Sequence, residues 1–246
     1  MARRQLPEDK QSSDRNTAGA AQRRTEEIYR CLRNRICLLH YPPGTKLSEQ
    51  RLAQEFRVSR TPIRRALHRL EIERLAERRQ GVQTVVTSYD FDSARDVYTL
   101  RMILAENIEQ LSPIPRWWER AGVLLDIRRR FEELRGEYDL EPFGMLHLEM
   151  QAELANLIAN DRAREIIMQL YFQIVRIAHA TIASMNWDEE IDAVVGEIDA
   201  LVEAMRHRDI RALGLVRRNA ISMSVERMRR AMHAESGRPQ SRCHEG

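Results

Sequence analysis

Val58-Ser59-Arg60-Thr61-Pro62-Ile63-Arg64-Arg65-Ala66-Leu67 is the stretch on which the reading of the N-terminal part of this chain turns. Ser59 can cap a helix, and Pro62 falls within the first turn, where a missing amide hydrogen costs nothing. Ile63, Ala66, Leu67 and Leu70 then share one face at helical spacing. The opposite face offers Arg60, Thr61, Arg64 and Arg65. A helix that is apolar on one side and carries a short hydroxyl and guanidinium groups on the other suits insertion into a nucleic-acid groove. There, arginine makes paired hydrogen bonds to guanine, and hydroxyl and amide groups take phosphates.

The flanking sequence completes the motif. Upstream of the short turn at Arg57-Val58, Ser48 is placed to cap a helix burying Leu52, Ala53 and Phe56. Before that, Ile28, Leu32, Ile36 and Leu39 line one face of a helix expected over Thr25–Leu39, which Tyr41-Pro42-Pro43-Gly44 stops. Downstream the period changes. Leu75-Ala76-Glu77-Arg78-Arg79, then Gln80-Gly81, then Val82-Gln83-Thr84-Val85-Val86 reads as a two-stranded hairpin. Three helices followed by a hairpin outline a winged helix-turn-helix. The third helix is the reading element, and the turn at Gln80 and Gly81 is the wing tip.

Charge follows the same division. Residues 1–88 hold 19 basic against 10 acidic residues, while the remainder holds 21 against 27, which together give the net charge of +3. A basic head on an acidic body is the footprint of a chain whose head neutralises phosphates. No P-loop, dinucleotide fingerprint, nucleophile elbow or HExxH motif is present, so the sequence argues against an enzyme. His147-Leu148-Glu149-Met150-Gln151 lacks the second histidine of a metalloenzyme helix. No uninterrupted apolar run indicates a membrane span. Cys31, Cys37 and Cys243 match neither a CxxC motif nor a disulfide framework, which fits a reducing compartment.

Pro43-Gly44-Thr45-Lys46-Leu47-Ser48-Glu49, Leu52-Ala53 and Val58–Leu67 resemble the winged-helix signature of GntR-family regulators. The resemblance implies operator contacts from Ser59, Arg60, Thr61, Arg64 and the wing tip at Gln80 and Gly81, with Gln50 and Arg51 near the DNA backbone. Arg65 stands where that family usually has Glu and adds positive charge to the same face.

Beyond Asp92 the pattern is helical, and we expect an antiparallel bundle of six helices. Successive stripes run through Val97, Arg101, Leu104 and Ile108, then through Leu124, Ile127 and Phe131, and then along a helix from Pro142 to Ala159. Ile166, Leu170, Ile174 and Ile177 mark the fourth helix, and Ile191, Val194, Ile198, Leu201 and Met205 the fifth. The sixth is capped by Asp209 and runs along Ala212, Val216, Asn219 and Met223. The expected organisation is a disordered arm over 1–22, a DNA-binding domain over 23–88, a helical effector-binding and dimerisation domain over 92–232, and a disordered tail over 236–246.

This helical part resembles, more loosely, the FCD ligand-binding domain of the FadR-type branch. The resemblance implies a homodimer on a two-fold-symmetric DNA operator, working in the cytoplasm on the bacterial nucleoid as a repressor released by a small-molecule effector. Many such domains hold a divalent metal through one Asp and three His. Here those positions fall on His147, Gln151, Ile198 and, at or beside it, Asn219. One strong ligand in four does not make a metal site, and no metal or other cofactor is expected. Arg101, His147, Gln151 and Asn219 nevertheless lie on core-facing stripes, with His179 nearby. Polar groups placed so need partners, which either a bound effector or one another would supply. The competing expectation is a DNA-binding protein whose helical dimerisation domain is packed solid and takes no ligand.

Overall fold

The computed structural model describes residues 9–79, 83–88 and 91–236. The chain forms two compact units, Met1–Ile36 with His40–Ser88, and Cys37–Leu39 with Tyr89–Gly246.

In the first unit, helix α1 (Asp9–Cys37) is followed by strand β1 (Lys46–Leu47), helices α2 (Glu49–Phe56) and α3 (Arg60–Ile72), and strands β2 (Ala76–Arg79) and β3 (Gln83–Val86). Ser48 caps α2 as the sequence indicates, accepting the Arg51 amide hydrogen at 3.4 Å. The turn into α3 is made by Arg57 in the left-handed region (φ 53°), its N–H reaching back to the Ala53 and Gln54 carbonyls. Ile63, Ala66, Leu67 and Leu70 are buried, so α3 can turn only its arginine face outward.

Three expectations need correction here. Helix α1 begins at Asp9, well inside the arm that the sequence suggests is disordered. Its Ala18, Ala20, Ala21 and Gln22 are good helix formers; residues 1–8 and the tail over 237–246 lie outside the described residues. At its other end α1 stops at Cys37, and Leu39 sits at φ 63°, outside the helix it was expected to extend. The wing is a three-stranded antiparallel sheet of order β1-β3-β2, with Lys46 opposite Val85 and Ala76 opposite Val86. A two-residue strand is too short to show a period, yet Leu47 buries one side chain and pairs β3.

The second unit contains six α-helices among the described residues: α4 (Phe91–Glu106), α5 (Ala121–Glu132), α6 (Leu140–Ala155), α7 (Asp161–Thr181), α8 (Trp187–Arg206) and α9 (Ile210–Ser236). Side chains define the ends. Asn160 accepts from Ala163 N at 3.1 Å, Asn186 from Glu189 N at 3.3 Å and Asp209 from Ala212 N at 2.8 Å, each closing an open first turn. Helix α6 ends four residues earlier than its apolar pattern suggests. Leu157 instead lies in a turn and Ile158 forms an antiparallel bridge with Pro113, Ile114 N donating to Leu157 O at 2.8 Å.

The core of this unit is built from α5, α6 and α8, with Leu124, Ile127, Phe131, Leu157, Ile191, Ile198 and Leu201 fully buried. In α7 the buried face is set by Tyr171, Phe172, Ile174, Val175 and Ile177, and Ile166 is exposed rather than packed. The stretch Asp161–Ser184 is long and apolar enough to cross a membrane by length and composition, but it is a core helix that also buries Arg176 and His179. In α9 the packed side chains are Leu213, Ile221 and Met228, while Met223 is exposed.

Helices α4 and α9 lie so close that a Cβ on Gly214 would stand 2.5 Å from the Ala105 carbonyl oxygen. Backbone cannot yield as a side-chain tip does, so Gly214→Ala is expected to cost about 1–3 kcal/mol of stability in urea unfolding. An unchanged midpoint would contradict this packing.

Candidate nucleic-acid interface and a cavity in the helical unit

The first turn of α3 gathers the residues singled out in the sequence. Ser59 occupies the N-cap position, but its hydroxyl makes no capping bond, and Arg60, Thr61, Arg64 and Arg65 are all exposed. Gln50 and Arg51, in the first turn of α2, are exposed as well. The open N-terminus of α3 adds amide donors and a positive dipole end to this surface. Gln80 and Gly81 lie outside the described residues.

One arginine is already engaged. Arg64 makes two parallel bonds to Glu49, Nε to Oε1 at 3.1 Å and Nη2 to Oε2 at 2.9 Å. The Arg64 bonds hold the Glu49 carboxyl below the usual carboxylate range, against some desolvation, with Arg78 and Arg60 adding to the effect. Glu49 therefore orients Arg64 across the two helices and offsets its charge. Arg78, exposed on β2, joins the same electrostatic group and escaped the sequence reading. Its place in the run Glu77-Arg78-Arg79 beside the wing was the available signal.

The helical unit carries a cavity of about 500 Å³, open to solvent on one side, whose lining includes Arg101, His147, His179 and Asn219. Arg101 is buried beside it and donates from Nη2 to Gln151 Oε1 at 3.2 Å, its guanidinium carbon lying 5.3 Å from the Tyr171 ring centre. Gln151 also accepts from Arg217 Nη2 at 2.5 Å, and Arg217 in turn pairs with Glu197. Burial, and then the neighbouring Arg217 charge, push Arg101 down to about 10, so it remains a cation at neutral pH. Asn219 is exposed, lies on the cavity's lining and accepts from Arg218. The structure thus brings Arg101 and Gln151 into contact and places His147, His179 and Asn219 around the same space.

Both histidines are neutral. Desolvation, with His179, Arg217 and Arg227 adding to it, lowers His147 to about 3, and its ring packs against Phe131 and Phe143 at 5.0 and 4.6 Å. His179 is lowered too, chiefly by burial, and its Nδ1 lies 2.7 Å from the Cys37 carbonyl oxygen.

The metal of the resembled domain does not fit these side chains. Ile198 has no donor and is fully buried, and the Gln151 carbonyl is occupied by two guanidinium groups, whose charge would repel a cation. Among the described residues no cluster of three or more His, Cys, Asp or Glu could hold a metal ion.

Geometry therefore defines a winged helix-turn-helix head joined to an all-helical body with an open cavity. Residues 24–86 match the family described as bacterial regulatory proteins, gntR family, and this segment is a GntR-family helix-turn-helix domain. The Nta operon transcriptional regulator of Aminobacter aminovorans is 28% identical over 122 residues, half of this chain and 58% of that protein. Two solved structures share the fold. E. coli McbR/YncC has a TM-score of 0.68 at 17% identity, covering 87% of this chain and 99% of its own. A GntR transcriptional regulator from Rhodococcus sp. RHA1 has 0.65 at 16% identity, covering 85% and 98%.

A neutral, partly buried histidine makes stability depend on pH. The unfolded chain takes up a proton near pH 6.5, whereas the folded chain holds His147 neutral down to about 3. Its contribution is therefore present above 6.5 and lost as pH falls from 6.5 towards 3. Between pH 8 and 5.5 one such histidine should remove about 1.4 kcal/mol of unfolding free energy, a slope that His147→Gln should reduce. An identical slope in the variant would place His147 in water.

Proposed function

We propose that this chain is a dimeric transcriptional regulator that represses by occupying a two-fold-symmetric operator and is modulated by a small molecule bound in its helical unit. The observation that carries the reading is the exposed Ser59-Arg60-Thr61 and Arg64-Arg65 face on a helix whose other side is locked into the core of a GntR-family head. Such a helix presents its N-terminal turn to base edges in the major groove, while flanking basic groups take phosphates. Arg65 and Arg78 enlarge the positive surface, and Gln50, Arg51, Gln80 and Gly81 belong to the proposed contact set. In this reading the helical unit is the FCD-like dimerisation and effector domain, and the protein works in the cytoplasm on the nucleoid rather than as an enzyme.

The cavity favours a ligand-responsive body over one packed solid. An open pocket of about 500 Å³ lies within the range of small-molecule sites. Ligand occupancy would shift the population of dimers toward one whose heads no longer match both half-sites. Arg101, Gln151, His147, His179 and Asn219 are the proposed effector contacts.

The test is fluorescence anisotropy of the full chain on labelled DNA flanking its own gene, with random DNA as reference, at several salt concentrations. We expect sequence-specific binding that weakens steeply with salt. Arg60→Ala and Arg64→Ala should each cost about 1–3 kcal/mol, roughly 5- to 150-fold in affinity. Equal affinity for flanking and random DNA would defeat the regulator reading.

A further inference from the structure

Arg51, Arg60, Arg64, Arg65 and Arg78 of the head are all exposed, and each belongs to its positive surface. Among the described residues, Arg64 alone of this set is paired with a carboxylate. The Arg64 side chain is 67% exposed, whereas the Glu49 side chain that holds it is only 25% exposed. Glu49 directly follows the N-cap Ser48, where the open amides of a first turn favour a negative charge. Arg60 and Arg78 lie near enough to favour its charged form as well. A fixed carboxylate within a surface that must meet phosphates weakens general attraction to DNA. Such a largely exposed pair adds little to stability, so its two-pronged geometry calls for a role in binding.

We propose that Glu49 is a positioning residue for base readout: it holds the Nε and Nη2 edge of Arg64, so that the guanidinium meets DNA end-on, and it withholds the Arg64 charge from phosphates. This rests on the reading of α3 as the DNA-reading helix and adds the residue that makes its arginine contact selective.

The chemistry follows from the shape of the fork. A guanidinium carries five N–H donors in one plane. One on Nε and one on Nη2 are engaged by the two Glu49 oxygens. The other donors lie at the end of the fork, on Nη1 and Nη2, where a parallel pair matches O6 and N7 of guanine. An arginine without a partner can take a phosphate by either edge, and phosphates are present at every sequence. Glu49 opposes that outcome in two ways. It fills the side edge of the fork, and it sets a negative charge beside the place a phosphate would take. A base edge carries no net charge and does not meet the same repulsion. The pair also restrains the long Arg64 stem before DNA arrives, so less freedom is lost on contact. Arg51, Arg65 and Arg78 have no carboxylate partner among the described residues and supply the general attraction.

The experiment compares the full chain, Glu49→Gln, Glu49→Asp, Arg64→Ala and the Glu49→Gln, Arg64→Ala double variant on flanking and on random DNA, each at several salt concentrations. Gln keeps the shape of Glu49 and loses its charge. Asp keeps the charge but is one methylene shorter, which draws the carboxylate out of reach of both donors. We expect Glu49→Gln to bind random DNA more tightly, with a salt slope steeper by about 0.9 as one more phosphate is neutralised. The ratio of flanking to random affinity should fall about tenfold, within what one arginine–guanine pair provides. Glu49→Asp should lower that ratio too, whereas Glu49→Gln should leave it unchanged once Arg64 is Ala. If one variant at position 49 fails to fold, the other decides. A ratio untouched by Glu49→Gln, a ratio fully kept by Glu49→Asp, or an equal fall with and without Arg64 would each overturn the proposal. An unaltered chain that does not tell flanking from random DNA removes the regulator reading and this inference with it. A clear preference that Glu49→Gln does not change removes only the role of Glu49.

Discussion

The burial of one face of α3 is the constraint on which the rest of the head depends. Ile63, Ala66, Leu67 and Leu70 leave water together, each larger side chain contributing about 1.5–3 kcal/mol. That burial fixes the rotation of the helix about its own axis. Once it is fixed, Arg60, Thr61, Arg64 and Arg65 have no direction but outward. The left-handed turn at Arg57 sets where α3 starts, and the Glu49–Arg64 pair ties its first turn to α2. The pair is largely exposed, so its worth lies in orientation more than in stability.

The helical unit answers to the opposite constraint. Its core around Phe131, Ile191, Ile198 and Leu201 closes fully, but α4, α6, α7, α8 and α9 leave a space between them, and polar groups border it. The buried cation at Arg101 tolerates that position through a shared amide oxygen and an aromatic face, not through a counter-ion. A chain that buries such a group beside a void sacrifices stability locally, which is the usual condition of a binding site.

How much of this could be read from the sequence varies with the length of the pattern. The head was legible because amphipathic helices and a hairpin leave strong periods, and because Ser48 and the Pro42-Pro43-Gly44 stop are local signals. Strand β1 was hidden because two residues carry no period. Tyr29 was hidden because its burial depends on tertiary partners, the carboxylate of Glu73 2.6 Å from its hydroxyl and the Arg69 guanidinium over its ring. In the body, Arg101 and Gln151 stood out as polar residues on apolar stripes, and the structure joins them. Arg217 and Glu197 were missed because charged residues on helices usually face water. Yet Arg217 lies midway between Leu213 and Ile221, and Glu197 lies three residues after Val194, spacings that place both toward the interior. The α9 stripe through Val216, Asn219 and Met223 was real as a pattern, but it lines the cavity where a packed core was expected.

Hydroxyl-radical footprinting combined with guanine-methylation interference on the bound DNA tests the central claim most directly. If α3 reads two half-sites from a dimer, two protected patches should appear on one face of the duplex, about 10–10.5 base pairs or a multiple of that apart. Interference should fall on major-groove guanine N7 within each patch. Uniform protection along the fragment, or interference absent from the major groove, would contradict the account.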